Sequence, residues 1–337
     1  MDFQAKEKMM ILNSYKIWIL LLWGILISSC NRDNKTTTFV ILPDTQTYLE
    51  QCPEVFDSQI DWIIENRKQI DAVLQVGDLT QNNSPVEWRY MQKSFAKLQD
   101  AGLPYAIVWG NHDIGSKPGK FSDVHNTELA NKYFPLSEWN KRSYWGASAD
   151  NRTLDNYYII IHAGGIKWLL LNMEFGPADN TLKWADSIIV SNPDKHIILN
   201  THAYLYCDST LHDGDDWWRP QAYGIGKDSL RTVNDGGDIW NKLLSKHSNV
   251  VAVFCGHILK SGVGTLVSEG KHGNKVYQML ANYQRGVIGS NLGGEGYLRI
   301  VTFDRGKKEI RVKTFSTWNK NMHPSKEHNF TFHDVEL

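Results

Sequence analysis

The sequence predicts an α/β fold with a mixed sheet or two packed sheets. Three observations carry this: strand-like runs alternate with amphipathic helices in the first half, the last stretch of about sixty residues reads mainly as strand, and polar residues gather just after strand ends. With 337 residues, a net charge of -1 and 42% hydrophobic residues, the chain can bury a full core. It has no basic stripe, which excludes extended contact with a nucleic acid backbone and favours small or locally presented substrates.

The N-terminus stands apart from this pattern. Lys6, Lys8 and Lys16 precede an apolar run from Ile17 to Ile27, followed by Ser28, Ser29 and Cys30. The run is too short to span a bilayer comfortably, and basic flank, apolar stretch and small residues make the layout of a secretory signal. Ile27-Ser28-Ser29-Cys30 resembles a bacterial lipobox, which implies that residues 1–29 are a cleaved signal peptide and that Cys30 is lipidated. An uncleaved anchor or a plain signal peptide is the alternative. Residues 30–37 then read as a polar tether and 38–337 as the folded domain, lipid-anchored in the bacterial cell envelope on its periplasmic or surface face. Cys52, Cys207 and Cys255 are too few for a disulfide framework, and a Cys52–Cys207 bridge in an oxidising compartment is the lesser alternative to free thiols.

Runs rich in β-branched and aromatic residues predict strands at Thr38 to Leu42, Ala72 to Val76, Tyr105 to Trp109, Tyr157 to Ile161 and Lys167 to Leu171. The same pattern recurs at His196 to Leu199, Val250 to Phe254, Lys275 to Leu280, Tyr297 to Phe303 and Glu309 to Phe315. Between the early strands, Phe56, Ile60, Ile63 and Ile64 share one helical face, as do Trp88, Met91, Phe95 and Leu98. Further helices are expected near Ala178 to Val190 and Gly237 to Lys246. The glycines from Gly286 to Gly296 make a loop without phosphate-cradling spacing.

Asp44, Asp78, Asn111, His202 and His257 each come one to three residues after a predicted strand. Ligands collect at the carboxyl ends of strands in α/β sheets, so these donors can converge from distant parts of the chain into a metal site. Singly, each has a plainer reading. Pro43-Asp44-Thr45-Gln46 fits an Asx-type turn capping a helix, Gly77-Asp78 fits a turn, and Thr201-His202 and Gly256-His257 fit hydrogen-bonded loop histidines. Gly110-Asn111-His112-Asp113 has no obvious packing use, and all the plainer readings would have to hold at once.

In this order the motifs resemble the calcineurin-like metallophosphoesterase superfamily, from about Phe39 to about Phe303. The resemblance implies a two-sheet α/β/β/α sandwich. Gly256-His257-Ile258-Leu259, the run Met279 to Gln284 and Gly296-Tyr297-Leu298-Arg299 look like a bacterial and fungal branch of secreted or surface members. It also implies two divalent metal ions: Asp78 bridges them, Asp44 serves the first, and Asn111, His202 and His257 serve the second. His112 matches the residue that assists the leaving group. Two departures concern the first ion, since the family usually has His at the positions of Gln46 and Leu259.

Ligand chemistry then separates the sites. Asp44, Asp78, the Gln46 amide and water favour hard ions such as Mg²⁺, Mn²⁺ or Ca²⁺, whereas two imidazoles with Asp78 and Asn111 suit Zn²⁺, Fe or Mn²⁺. Gln284 is a further candidate oxygen. One tightly held and one exchangeable ion are expected, with activity depending on added hard divalent ion. The implied reaction is hydrolysis of a phosphomonoester or phosphodiester by in-line attack of metal-held hydroxide. Trp88, Trp109, Trp145, Tyr204, Tyr206, Trp217 and Trp218 offer an aromatic wall for a sugar or nucleotide substrate, or else they fill the core. The competing function is a surface glycan-binding protein on a degenerate scaffold, supported by the two lost histidines and opposed by His112.

Overall fold

A computed structural model describes residues 35–337. The expected signal peptide, Cys30 lipidation and most of the tether lie outside the described residues. In chain order the elements are β1 (Thr36–Leu42), α1 (Gln46–Gln51), α2 (Pro53–Glu65), β2 (Ala72–Gln75), α3 (Pro85–Asp100) and β3 (Tyr105–Ile107). They continue with α4 (Glu128–Tyr133), α5 (Leu136–Trp139), β4 (Trp145–Ser148), β5 (Asn156–Ala163), β6 (Ile166–Met173), α6 (Asp179–Val190) and β7 (His196–Thr201). The last are α7 (Gly236–Lys242), β8 (Val250–Cys255), β9 (Val263–Glu269), β10 (Lys275–Ala281), β11 (Tyr297–Asp304), β12 (Glu309–Ser316), β13 (Asn321–Met322) and β14 (Phe330–Phe332).

Each expected strand is present, and β1 starts at Thr36 because Thr36 and Thr37 extend its antiparallel pairing with β11. The helix expected over Gly237 to Lys246 breaks after Lys242, where a single 3₁₀ turn, Leu244–Lys246, follows.

The strands form two seven-stranded mixed sheets. One runs β13-β12-β11-β1-β2-β3 with β14 paired to β12, and the other β4-β5-β6-β7-β8-β10-β9. β1, β2 and β3 are mutually parallel in the first sheet, as are β6, β7, β8 and β10 in the second. Inner faces meet through Phe39, Phe303 and Trp168, whose ring centroids lie 4.8–5.9 Å apart. The Trp168 indole N–H also donates to Thr37 Oγ1 at 3.0 Å.

Sequence alternation explains the layering of the second sheet. Trp168, Leu170, Ile198, Ala252 and Phe254 point into the inter-sheet core, while Leu169, Leu171, Ile197, Leu199 and Val253 pack with Leu182, Ala185 and Ile189 of α6 and Ile239 of α7. Both faces are covered, so these strands read as unbroken apolar runs. Among the described helices, α3 has the clearest start signal. Ser84 accepts from the Glu87 N–H while the Glu87 carboxylate accepts from the Ser84 N–H, and Pro85 occupies the first turn, where no intrahelical donor is needed. α3 buries Trp88, Met91, Phe95 and Leu98, the face expected from its spacing.

Candidate metal centre

The carboxyl ends of β1, β2, β3, β7 and β8 carry Asp44, Asp78, Asn111, His202 and His257, all of them buried. The turns that deliver them leave no slack. Asp78 and His257 sit at φ of 54° and 74°, a left-handed region that costs a non-glycine residue about 1–3 kcal/mol. A Cβ at Gly110 would come 2.1 Å from Asp78 Oδ1, and one at Gly256 would come 2.0 Å from Asp44 Oδ1. Glycine precedes Asn111 and His257 because Asp78 in one case and the Asp44 side chain in the other close directly onto its backbone.

Four of these side chains converge. Ligand atoms of Asp78, His202 and His257 lie within 4.8 Å of one another, and Asn111 Oδ1 is 3.1 Å from His202 Nε2. His202 Nδ1 lies 2.9 Å from the Val76 carbonyl and His257 Nε2 2.8 Å from the Trp218 carbonyl. Carbonyls only accept, so those ring nitrogens carry protons and the opposite nitrogens are the ones turned toward a ligand position. His257 Nδ1 and His202 Nε2 face each other at 3.2 Å, with Asp78 Oδ2 3.3 Å from His202 Nε2. Ligand atoms meeting at this range are bridged by positive charge, either a proton on His202 Nε2 or a metal ion in its place, and backbone carbonyls fixing the far nitrogens are what ligating imidazoles use for orientation. Burial opposes charge on His202, but Asp78 and Asp44 outweigh it and lift the imidazole to about 9, so the pocket draws positive charge to Nε2, where a proton and a metal ion compete. Burial and the neighbouring His202 push His257 far down. Asp78, despite burial, is held at about 2, chiefly by His202 and His112. These residues therefore fit a divalent ion with mixed nitrogen and oxygen ligands.

His112 stands beside this group without joining it. Its backbone N–H donates to Asp78 Oδ1 at 2.9 Å, its Nδ1 donates to the Gln81 carbonyl at 2.8 Å, and its ring stacks on Phe121 at 3.9 Å. Asp113 is a brace: its oxygens accept from the N–H groups of Leu79, Thr80 and Gly110 and from the Thr80 hydroxyl. Burial and nearby Asp78 push the Asp113 carboxyl up to about 7.

Asp44 is handled differently. It makes no side-chain cap; Thr45 is the N-terminal flank of α1. Its carboxylate accepts from the His257 N–H, Asn282 Nδ2 and Gln284 Nε2. Gln46 Nε2 donates to Gln284 Oε1, and Gln46 Oε1 is buried without a partner. Asn282 was not anticipated; it follows β10, whose end lies beside β8, and only that parallel pairing brings it to Asp44.

The expected aromatic wall divides. Trp88, Trp109 and Tyr204 are core residues, Tyr206 is buried and Trp145 half-buried, whereas Trp217 and Trp218 are 68% and 41% exposed. Trp218 adopts φ 63°, presents its carbonyl to His257, and keeps its indole 6.3 Å from the His257 ring. Cys52, Cys207 and Cys255 are free thiols, so the expected alternative of a Cys52–Cys207 bridge is not formed in this structure. A second cluster, His125, Asp155 and Glu174, also gathers ligand-type atoms within 4.8 Å. There Glu174 is already paired with His125 at 2.8 Å and Arg231 at 2.9 Å, and Asp155 accepts from Trp109, Thr127 and Asn131. Donors occupy these oxygens, so the cluster ties the segment after β3 to the end of β6.

Comparison with known proteins gives the same architecture. The chain is 30% identical over 291 residues to the uncharacterized protein YvnB of Bacillus subtilis, covering 84% of this chain and 20% of that one. It is 25% identical over 241 residues to the serine/threonine-protein phosphatase CPPED1 of Homo sapiens, covering 67% of this chain and 62% of that protein. The chain thus spans about a fifth of the first relative and about three-fifths of the second. Among solved structures, a purple acid phosphatase from yellow lupin superposes with a TM-score of 0.54 at 14% identity, covering 88% of this chain and 54% of that one. A dimetal phosphatase from Danio rerio gives 0.51 at 12% identity, covering 89% and 99%. These likenesses establish the two-sheet α/β/β/α sandwich as the fold. The profile of the calcineurin-like phosphoesterases matches residues 37–261, two-thirds of the sequence, and the chain belongs to that family.

Proposed function

We propose that this protein hydrolyses phosphate esters of small molecules, with sugar or nucleotide phosphates as the substrate class. The observation that carries the proposal is the convergence of ligand-type atoms from Asp78, Asn111, His202 and His257 on one position. A divalent ion there supplies charge neutralisation at the phosphoryl oxygens and activation of water. The chain's own residues do the rest. The Val76 and Trp218 carbonyls fix both imidazoles, and the Gln81 carbonyl holds the His112 Nδ1 proton so that Nε2 is the atom exchanging a proton with the leaving oxygen. Phe121 keeps that ring in place by stacking. The exposed Trp217 and Trp218 rings beside the centre offer a flat apolar surface for a sugar or base. Relatives described as probable cyclic nucleotide phosphodiesterases support including nucleotides in the panel.

The test is a panel of phosphomonoesters and phosphodiesters assayed with Mn²⁺, Mg²⁺ or Zn²⁺. Turnover that disappears in Asp78→Ala supports the proposal. Silence across the panel, with glycan binding that survives His112→Ala, would replace it with the surface-binder reading. A lipid anchor at Cys30 in the bacterial cell envelope completes the proposal, supported by the basic, apolar and small-residue order of residues 6–30. Cells fed labelled fatty acid should label the wild type and not Cys30→Ala; equal labelling refutes the anchor.

A further inference from the structure

Asp44 stands at one end of a chain of amides whose direction is fixed. A carboxylate only accepts, so the groups meeting Oδ2 are donors: the His257 N–H at 2.9 Å, Asn282 Nδ2 at 2.8 Å and Gln284 Nε2 at 3.1 Å. The orientation of Asn282 has its own anchor, since Oδ1 accepts from the Gln284 N–H at 3.1 Å. With its nitrogen turned to Asp44, Gln284 presents Oε1 to Gln46 and accepts from Gln46 Nε2 at 2.6 Å. Gln46 has then used its nitrogen, and its Oε1 is left buried with no donor. Reversing Gln46 alone would set oxygen against oxygen at Gln284, and reversing both would set oxygen against the Asp44 carboxylate. An unsatisfied buried acceptor is costly, so the relay maintains an orphaned oxygen that a bound cation would satisfy.

We propose that this relay rebuilds the site depleted of histidines as an oxygen-only cation site, with Gln46 Oε1, Asp44 Oδ1 and Asp78 as protein ligands. Gln284 is its positioning residue. Asp44 Oδ1 has only the longer 3.2 Å contact from the His257 N–H, which leaves lone pairs for an ion. Carboxylate and amide oxygens with water suit Mg²⁺, Mn²⁺ or Ca²⁺, and the absence of imidazole and thiolate from this set selects against Zn²⁺. The inference deepens the phosphoesterase reading and rests on it for the second, histidine-bearing ion position.

The experiment is a Mn²⁺ titration of the full chain, read by equilibrium dialysis and by electron paramagnetic resonance with nitrogen couplings resolved. Wild type should bind two ions, one of them without histidine nitrogen coupling. Gln46→Ala should lose that ion alone, Gln284→Leu should weaken it about 10- to 100-fold, as loss of an outer orienting partner does, and Gln46→His should add a nitrogen coupling to it. His202→Ala should remove the other ion instead. A single ion at saturation, or two ions both indifferent to Gln46→Ala, overturns the proposal. Two bound ions without hydrolysis of any ester would refute the phosphoesterase reading and leave the relay standing. Hydrolysis with one bound ion would do the reverse.

Discussion

His112 and Asp78 touch through one hydrogen bond, yet their substitutions should have opposite signatures. His112 contributes its backbone N–H to Asp78, which His112→Ala retains, so metal content should hold while turnover falls by about 10²- to 10⁴-fold, the usual worth of a general acid. Metal analysis alongside kcat checks both halves. Asp78→Ala removes the buried carboxylate that balances His202, and metal should be lost outright; retained occupancy would show that the imidazoles and Asn111 suffice.

At the scale of elements, the segment after β3 that carries Asn111, His112 and Phe121 is tied down by the pair of His125 with Glu174, whose other oxygen meets Arg231 at 2.9 Å. Glu174 lifts the His125 imidazole above its ordinary value, and, against burial, His125 and Arg231 hold Glu174 down at about 2. The raised histidine stabilises the fold fully below its unfolded value near 6.5 and less as pH rises through its folded one. In Arg231→Met, His125 is the one charged partner left to Glu174 beside the Asn156 amide, so melting temperature should fall more steeply from neutral to alkaline pH than in wild type. Parallel curves would show that the pair carries no such load. At α3, Glu87 satisfies the N–H groups of Asn82 and Ser84 just beyond Gln81, whose carbonyl orients His112. Glu87→Ala should cost about 1–2 kcal/mol in denaturant unfolding, the range of a lost helix cap.

For the whole molecule, the candidate centre is a place where polar groups of both sheets meet: Asp78 and Asn111 come from the first sheet and His202 and His257 from the second. An ion bound there links the two halves of the sandwich in the native state only. Chelation should lower the melting temperature and re-addition restore it, with a stabilisation of about 2.7 kcal/mol at a hundredfold excess over the dissociation constant. A melting temperature indifferent to chelator would mean that the sandwich is held without the ion.

The sequence by itself determined the strands and helices with strong periodicity, because burial on one face or two leaves a period that tertiary contacts do not erase. Leu169 to Leu171 and the Trp88 to Leu98 face are read correctly for that reason. Peripheral strands such as β4, β9, β13 and β14 carry no such signal, since partly exposed pairing imposes little apolar pattern. Asp44, Asp78, Asn111, His202 and His257 could be selected from their positions after strands, because parallel strands deliver their ends to one side. Only the tertiary structure decided how those donors are shared. The four-residue centre, the commitment of Asp44 to Asn282 and Gln284, and the Trp218 carbonyl on His257 depend on contacts between segments far apart in the chain. No local spacing encodes them, and the direction of each amide follows from its neighbour rather than from its own residue type.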